Sequence, residues 1–493
     1  MNRLILVLML FATPTFGATP IDKTVAFYHG APDRAGNYIV PSLTWQSASA
    51  VHRLQEFDGK VDGHIYAQPL YWRPQSGGPA LLIVATENDL VYALDADTGH
   101  VMWRTALGHQ VPNSALPCGN INPLGVTGTP VIDASRGAVY LDAMIDYYGT
   151  PRHYIYGLRL SDGSVLSGFP IDVAERLAAH GIRFDPAAQD QRGALALLND
   201  RIFVPFGGHF GDCSDYHGVV VALNVDSPQQ MAAWVTRAPK GGIWAPAGVS
   251  EADGLLYFSS GNTEWARTWG DGEGVFRLRP DLTHTIDPRN FFAPSNWQEL
   301  DADDLDIGGV TPLPITSSGS ELLLALGKDG NAYLLNRANL GGIGEPIAIR
   351  RAARSVIITA PAVYRVHDTP LIAYQARGAT CPNGSFVSGV AALAITAQVG
   401  DRLRTAWCAQ LDGRGAPIVT TTDGNSEPIV WVAGAEGDDR LHGFRGDNGE
   451  EIFTGGKAGD RMTGLRHFVT ILAAGRRFYI AGDGRIFAFD LAQ

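Results

Sequence analysis

The chain has 493 residues, a net charge of −12, and 45% apolar against 18% charged residues. That balance supports a large core and excludes an extensively disordered chain. The negative charge, with basic residues scattered rather than clustered, excludes nucleic acid and anionic membrane as natural partners.

Met1-Asn2-Arg3 is a short basic start, Leu4 to Ala12 is apolar, and Thr13 to Ala18 ends in small residues. This order of segments predicts a secretory signal peptide over 1–18, cleaved near Gly17 or Ala18, and a periplasmic or secreted protein. The apolar run is too short to span a bilayer, and no transmembrane segment is expected elsewhere. The mature chain, 19–493, reads as a single domain. Its 58 glycines suit a fold with many tight turns.

The next clear signal is a repeat. Val91 to Trp103 (VYALDADTGHVMW) is an alternating strand, an Asp/Gly turn and a strand closing on Trp. Weaker copies begin at Tyr154, Val219, Val275, Ala332, Gly389 and Leu441, and a truncated one at Ile486. Each has two upstream strand-like runs, such as Thr129 to Ile132 followed by Ala138 to Leu141. Four strands per copy, repeated at near-propeller spacing, predict an all-β fold. The expected architecture is an eight-bladed β-propeller of four-stranded blades. The last copy lacks its fourth strand, so an N-terminal strand from Ile39 to Leu54 is expected to close the ring. Val173 to His180 is a short helical candidate.

Cys118, Cys213, Cys381 and Cys408 are an even set, and an oxidising compartment favours disulfides. Three pairings are open, one of them stapling Cys213 to Cys118. No spacing suggests a zinc site or an attached haem.

The Ala93 to Trp103 segment resembles the tryptophan-docking repeat of the quinoprotein (pyrroloquinoline quinone) alcohol dehydrogenase-like β-propellers, with Trp234 and Trp407 at matching places in two other copies. In that family the Trp packs between neighbouring blades. The resemblance implies an exported oxidoreductase of an alcohol or sugar, with pyrroloquinoline quinone and a calcium or lanthanide ion as cofactors. A separate electron acceptor, such as a cytochrome c, is implied too, because the chain has no haem module.

The same resemblance assigns residues. Trp244, in Gly241 to Ala247, is similar to the family's cofactor floor. Asn262, ending Tyr257 to Asn262, is similar to its metal-ligating Asn. Asp304 and Asp306 resemble its Asp-x-Asp segment, the first as catalytic base and both as metal ligands. Lys328 resembles the lysine that faces the quinone oxygens and is taken as catalytic and cofactor-binding. Arg192, at the head of the third copy, is taken as cofactor-binding. Chemistry needs these types: hard cations take oxygen ligands, and a carboxylate must accept the alcohol proton. If the segment is extended, alternation places Asp304 and Asp306 on one side.

Two features depart from the family. There is no Cys-Cys pair, and the loop His209 to His217 offers His209, Asp212 and Asp215 where the family has a metal-binding Glu. Two other readings therefore stand beside the first. One is a non-catalytic propeller that binds protein or glycan partners. The other is a hydrolase or lyase built on His209, Tyr216 and His217. By architecture, the binding pocket is expected in a central funnel on the face of the inner-strand entries.

Overall fold

A computed structural model describes residues 17–75, 77–398 and 400–491. The predicted signal peptide lies almost entirely outside the described residues. The rest is all-β, a propeller of four-stranded antiparallel blades, with its strands in eight sheets. In the first unit the strands run Leu70–Trp72, Leu81–Ala85, Leu90–Asp95 and Val101–Ala106, each paired to the next. Every predicted copy lands on the third strand of a unit: Leu90–Asp95, Thr150–Arg159, Val219–Asn224, Val275–Leu278, Asn331–Asn336, Phe386–Ile395, Leu441–Arg445 and Arg485–Asp490. His52–Arg53 pairs antiparallel with Arg485–Asp490 and so supplies the fourth strand of the last sheet. The short helix is present at Val173–Ala179, capped by Asp172, whose side chain accepts from the Glu175 N–H. No helix among the described residues is long and apolar enough to cross a membrane.

The tryptophans dock between units, as the resemblance implies. Trp103 Nε1 donates to the Leu160 carbonyl of the second unit at 2.9 Å. Trp407 Nε1 donates to the Gly446 carbonyl of the seventh at 2.8 Å. Trp234 packs on Phe258 and Phe276 of the fourth. The Asp-Gly turn is what permits the first contact. Gly163 has φ +72, and a Cβ there would lie 2.5 Å from the Trp103 ring. Trp407 is buried, and truncating it to alanine would cost about 3–5 kcal/mol.

The axis is filled by a segment without any repeat signal. Asn37–Ile39 extends the seventh sheet inward by parallel pairing with Ile418–Thr421, and Thr19–Pro20 pairs parallel with Asn37–Ile39 in turn. Between them, Tyr28 packs among Ala194, Ala247, Ala360 and Ala416, one small residue from each of four units. Arg34 is fully buried and donates to the carbonyls of Val249 and Leu195, both at 2.8 Å from Nη2. The alanines leave room for a tyrosine, and the guanidinium satisfies carbonyls that no ladder reaches.

Candidate functional site

In each unit the entry to the first strand and the turn between the second and third strands lie at the same end of the sheet. Trp244 and the Asp304–Asp306 segment precede first strands, at Ser250–Ala252 and Leu313–Ser317. Lys328 sits in the turn between Ser320–Leu326 and Asn331–Asn336. Topology alone therefore brings these residues to one face.

The side chains meet there. Lys328 Nζ lies 2.7 Å from Asp304 Oδ1 and 2.6 Å from Asp306 Oδ2. The ammonium is 5.1 Å from the centroid of the Trp244 ring, within cation–π reach. Trp244 Nε1 donates to Asp306 Oδ2 at 3.1 Å, and the backbone N–H of Asn262 donates to Asp306 Oδ1 at 2.7 Å. Gly261 must be small, since a Cβ would approach Asp306 and Trp244 to 3.0 Å. Four sequence-predicted side chains and one backbone amide thus form one cluster.

The segment that supplies the carboxylates is not extended. Trp297–Ala302 is helical, Asp304 has φ +53, and Ile307–Gly309 is a 3-10 turn. The two carboxylates share a partner because the chain folds back on Lys328, whose own N–H donates to the Asp306 carbonyl at 2.8 Å. Asp306 is buried, whereas 63% of the Asp304 side chain is exposed.

Glu273 joins the cluster without having been predicted. Its Oε2 accepts from the Ile307 N–H at 2.8 Å, and its Oε1 is buried with no hydrogen-bond partner. Burial, then the neighbouring Asp306 charge, holds its pKa well above the ordinary carboxylate value. A neutral Glu273 leaves Lys328 to the two aspartates. Burial alone would lower the Lys328 pKa, but the attraction and hydrogen bonds of the aspartates outweigh it and raise that pKa above its usual value. The alternating glycines of Gly270-Asp271-Gly272-Glu273-Gly274 are a sequence signal that could have marked a special turn here.

This donor set does not fit the metal ion that the resemblance implied. Asp306 already accepts from an indole, an amide and an ammonium, and Asn262 contributes its backbone N–H. Among the described residues no group of three or more metal-ligating side chains of the His, Cys, Asp and Glu types forms. The place between the carboxylates belongs to Lys328. A planar ring with a carbonyl oxygen does suit the partly exposed Trp244 face with an ammonium beside it.

Arg192 lies apart from this cluster. It pairs with Asp190 at 3.0 Å and lines a cleft with Tyr66, Thr127, Pro246 and Phe468, floored by Tyr28. The expected central funnel is therefore present as a cleft above the filled axis. His209, Tyr216 and His217 do not assemble into a catalytic set. His209 Nε2 contacts the Ala187 carbonyl, the Tyr216 hydroxyl donates to Asp212, and His217 Nδ1 contacts the Thr236 carbonyl. Cys118 pairs with Cys213 and Cys381 with Cys408, which settles the pairing and staples the His209 loop.

A model of the family described as outer membrane protein assembly factor BamB matches residues 42–143. No curated protein matches the chain significantly. Among solved structures, the quinohemoprotein alcohol dehydrogenase of Comamonas testosteroni is similar, with TM-score 0.63 at 14% identity over 95% of this chain and 80% of that one. A europium-containing methanol dehydrogenase gives TM-score 0.63 at 13% identity, over 94% and 90%. BamB from Moraxella catarrhalis gives 0.52 at 13%, over 89% and 99%. Identities this low carry the fold and not the chemistry. In its fold, the chain is a β-propeller similar to those of the quinohemoprotein alcohol dehydrogenase and the methanol dehydrogenase.

Proposed function

We propose that the chain is an exported quinone-dependent oxidoreductase that oxidises a small alcohol or sugar at the Trp244–Lys328 centre. The observation that carries this reading is the convergence of Trp244, Asp304 and Asp306, from two neighbouring units, on the Lys328 ammonium. Pyrroloquinoline quinone, when bound, would supply a two-electron acceptor for the hydride of the substrate carbon. Trp244 gives a flat apolar floor. Lys328 offers a charged donor to an oxygen at that floor. Asp304 is exposed and has a single charged partner, so it is the group free to take the substrate hydroxyl proton. Arg192, in the adjoining cleft, is suited to a carboxylate. Electrons would leave to a separate acceptor such as a cytochrome c. Two disulfides support an oxidising compartment, periplasmic or extracellular. We read the eight sheets as eight blades, with His52–Arg53 closing the ring.

The test is reconstitution of the purified full chain with pyrroloquinoline quinone, followed by bound-quinone absorbance and dye reduction with alcohols and sugars. Asp304→Asn should keep the absorbance and lose dye reduction. Absence of quinone uptake would sink the reading. It would favour a non-catalytic partner-binding propeller, which the exposed aromatics Tyr148, Phe210 and Trp265 at second-to-third strand turns also support. On that reading Asp304→Asn leaves function unchanged.

A further inference from the structure

The centre already holds a cation, and that cation is a side chain. Asp306 has its oxygens committed to Trp244 Nε1, the Asn262 N–H and Lys328 Nζ, at 3.1, 2.7 and 2.6 Å. A bound metal would have to evict the lysine before it could reach Asp306. The lysine is not loosely placed. Its backbone N–H donates to the Asp306 carbonyl, Gly327 accepts from Gly330, and the side chain is only 19% exposed. Lys328 and Asp306 are therefore tied at both backbone and side chain.

Valence sets what this cation can still do. An ammonium has three N–H donors. Two are directed to Asp304 and Asp306, which leaves one for a ligand oxygen. The two carboxylates differ in kind. Asp306 is buried and fixed, whereas Asp304 is mostly exposed and meets Lys328 at 2.7 Å from a left-handed backbone position. One anchors the ammonium, and the other can release it.

We propose that Lys328 is the resident cation of this centre and polarises a bound carbonyl oxygen in place of a metal ion, with Asp306 as its permanent anchor and Asp304 as the exchangeable one. The proposal rests on the oxidoreductase reading for the identity of the ligand, but not for the cation itself. The chain then takes a quinone or carbonyl compound in the absence of calcium or lanthanide.

Two titrations of the full chain test this. In the first, terbium is followed by tryptophan-sensitised luminescence and calcium by calorimetry. The wild type should show no saturable site below about 1 mM, the weak end of protein calcium sites. Lys328→Met should gain a site at least tenfold tighter, and Lys328→Arg should not. One ion per wild-type chain, lost in Asp304→Asn, would overturn the proposal. The wild-type titration stands even if Lys328→Met fails to fold. In the second, pyrroloquinoline quinone is added with a chelator present. Binding without metal is expected, weakened at least tenfold in Lys328→Met. Quinone binding only with calcium would refute the metal-free role, whereas no quinone binding under any condition would refute the oxidoreductase reading instead.

Discussion

The indole N–H of Trp244 and the ammonium of Lys328 share one oxygen of Asp306, at 3.1 and 2.6 Å. The three groups come from separate stretches of chain, so the carboxylate pins two neighbouring units together. Removing it would leave a mostly buried ammonium with only the exposed Asp304. Breaking a buried pair from one side costs about 3–5 kcal/mol. Asp306→Ala should lose about that much stability in urea unfolding. Asp304→Ala, at a solvent-exposed partner, should lose less than about 1 kcal/mol. Equal losses would show that the two carboxylates are not anchored differently.

Glu87 gives a pH dependence of stability. It is fully buried, and burial pushes its pKa up to about 8, against the opposing hydrogen bonds from the Gly125 N–H and Thr127 Oγ1. The unfolded carboxyl titrates near 4.5. Between those values the folded chain holds a proton that the unfolded chain has released. Stability should therefore fall as pH rises from about 4.5 to about 8, by at most about 1.4 kcal/mol per pH unit for one such group. Asp89, Asp142 and Glu273 are shifted in the same direction, so the slope has several contributors. Glu87→Gln should flatten the slope without removing it. Urea midpoints measured from pH 5 to 8 decide this, and an unchanged slope would contradict a protonated Glu87.

The repeats were legible because strand alternation and the Asp-Gly turn are local, and each copy did fall on a third strand. The cluster was legible in its members but not in its reason. Alternation placed Asp304 and Asp306 on one side of a strand, yet a helix, a left-handed residue and a 3-10 turn bring them to Lys328. Ligand types can be read from sequence, whereas the commitment of Asp306 to Lys328, Trp244 and the Asn262 N–H cannot. Glu273 was missed since a lone Glu among glycines shows its burial only after the units close. The axial segment carries no periodicity at all. It fits by size against one alanine from each of four units, a property of the assembled ring.

The two disulfides should differ in weight. Cys118–Cys213 spans 95 residues and Cys381–Cys408 spans 27. On loop-closure entropy the longer one stabilises by about 1 kcal/mol more. Replacing Cys118 and Cys213 together by alanine should thus lower the urea midpoint more than replacing Cys381 and Cys408. It should also loosen the His209 loop, seen as faster amide exchange over residues 209–217. The opposite order would point to native-state packing as the larger effect.

Arg34 supports the closed axis. Its guanidinium donates to the Val249 and Leu195 carbonyls and to the Tyr28 carbonyl at 3.4 Å, with no exposure. Burial lowers its pKa to about 10, still above physiological pH, so it stays charged. Arg34→Met keeps much of the volume but strands those carbonyls, each at about 1–3 kcal/mol. The variant should be destabilised by several kcal/mol if the segment stays in place. If it instead leaves the channel, Tyr28 leaves with it, and the cleft beside Arg192 loses its floor. Limited proteolysis separates the cases, because only a released segment is cut between residues 24 and 40 while the propeller stays intact. The expected outcome is release, since Tyr28 packs on small alanines and on its own neighbour His29, and Arg34 makes side-chain hydrogen bonds that tie the segment to the third and fourth units.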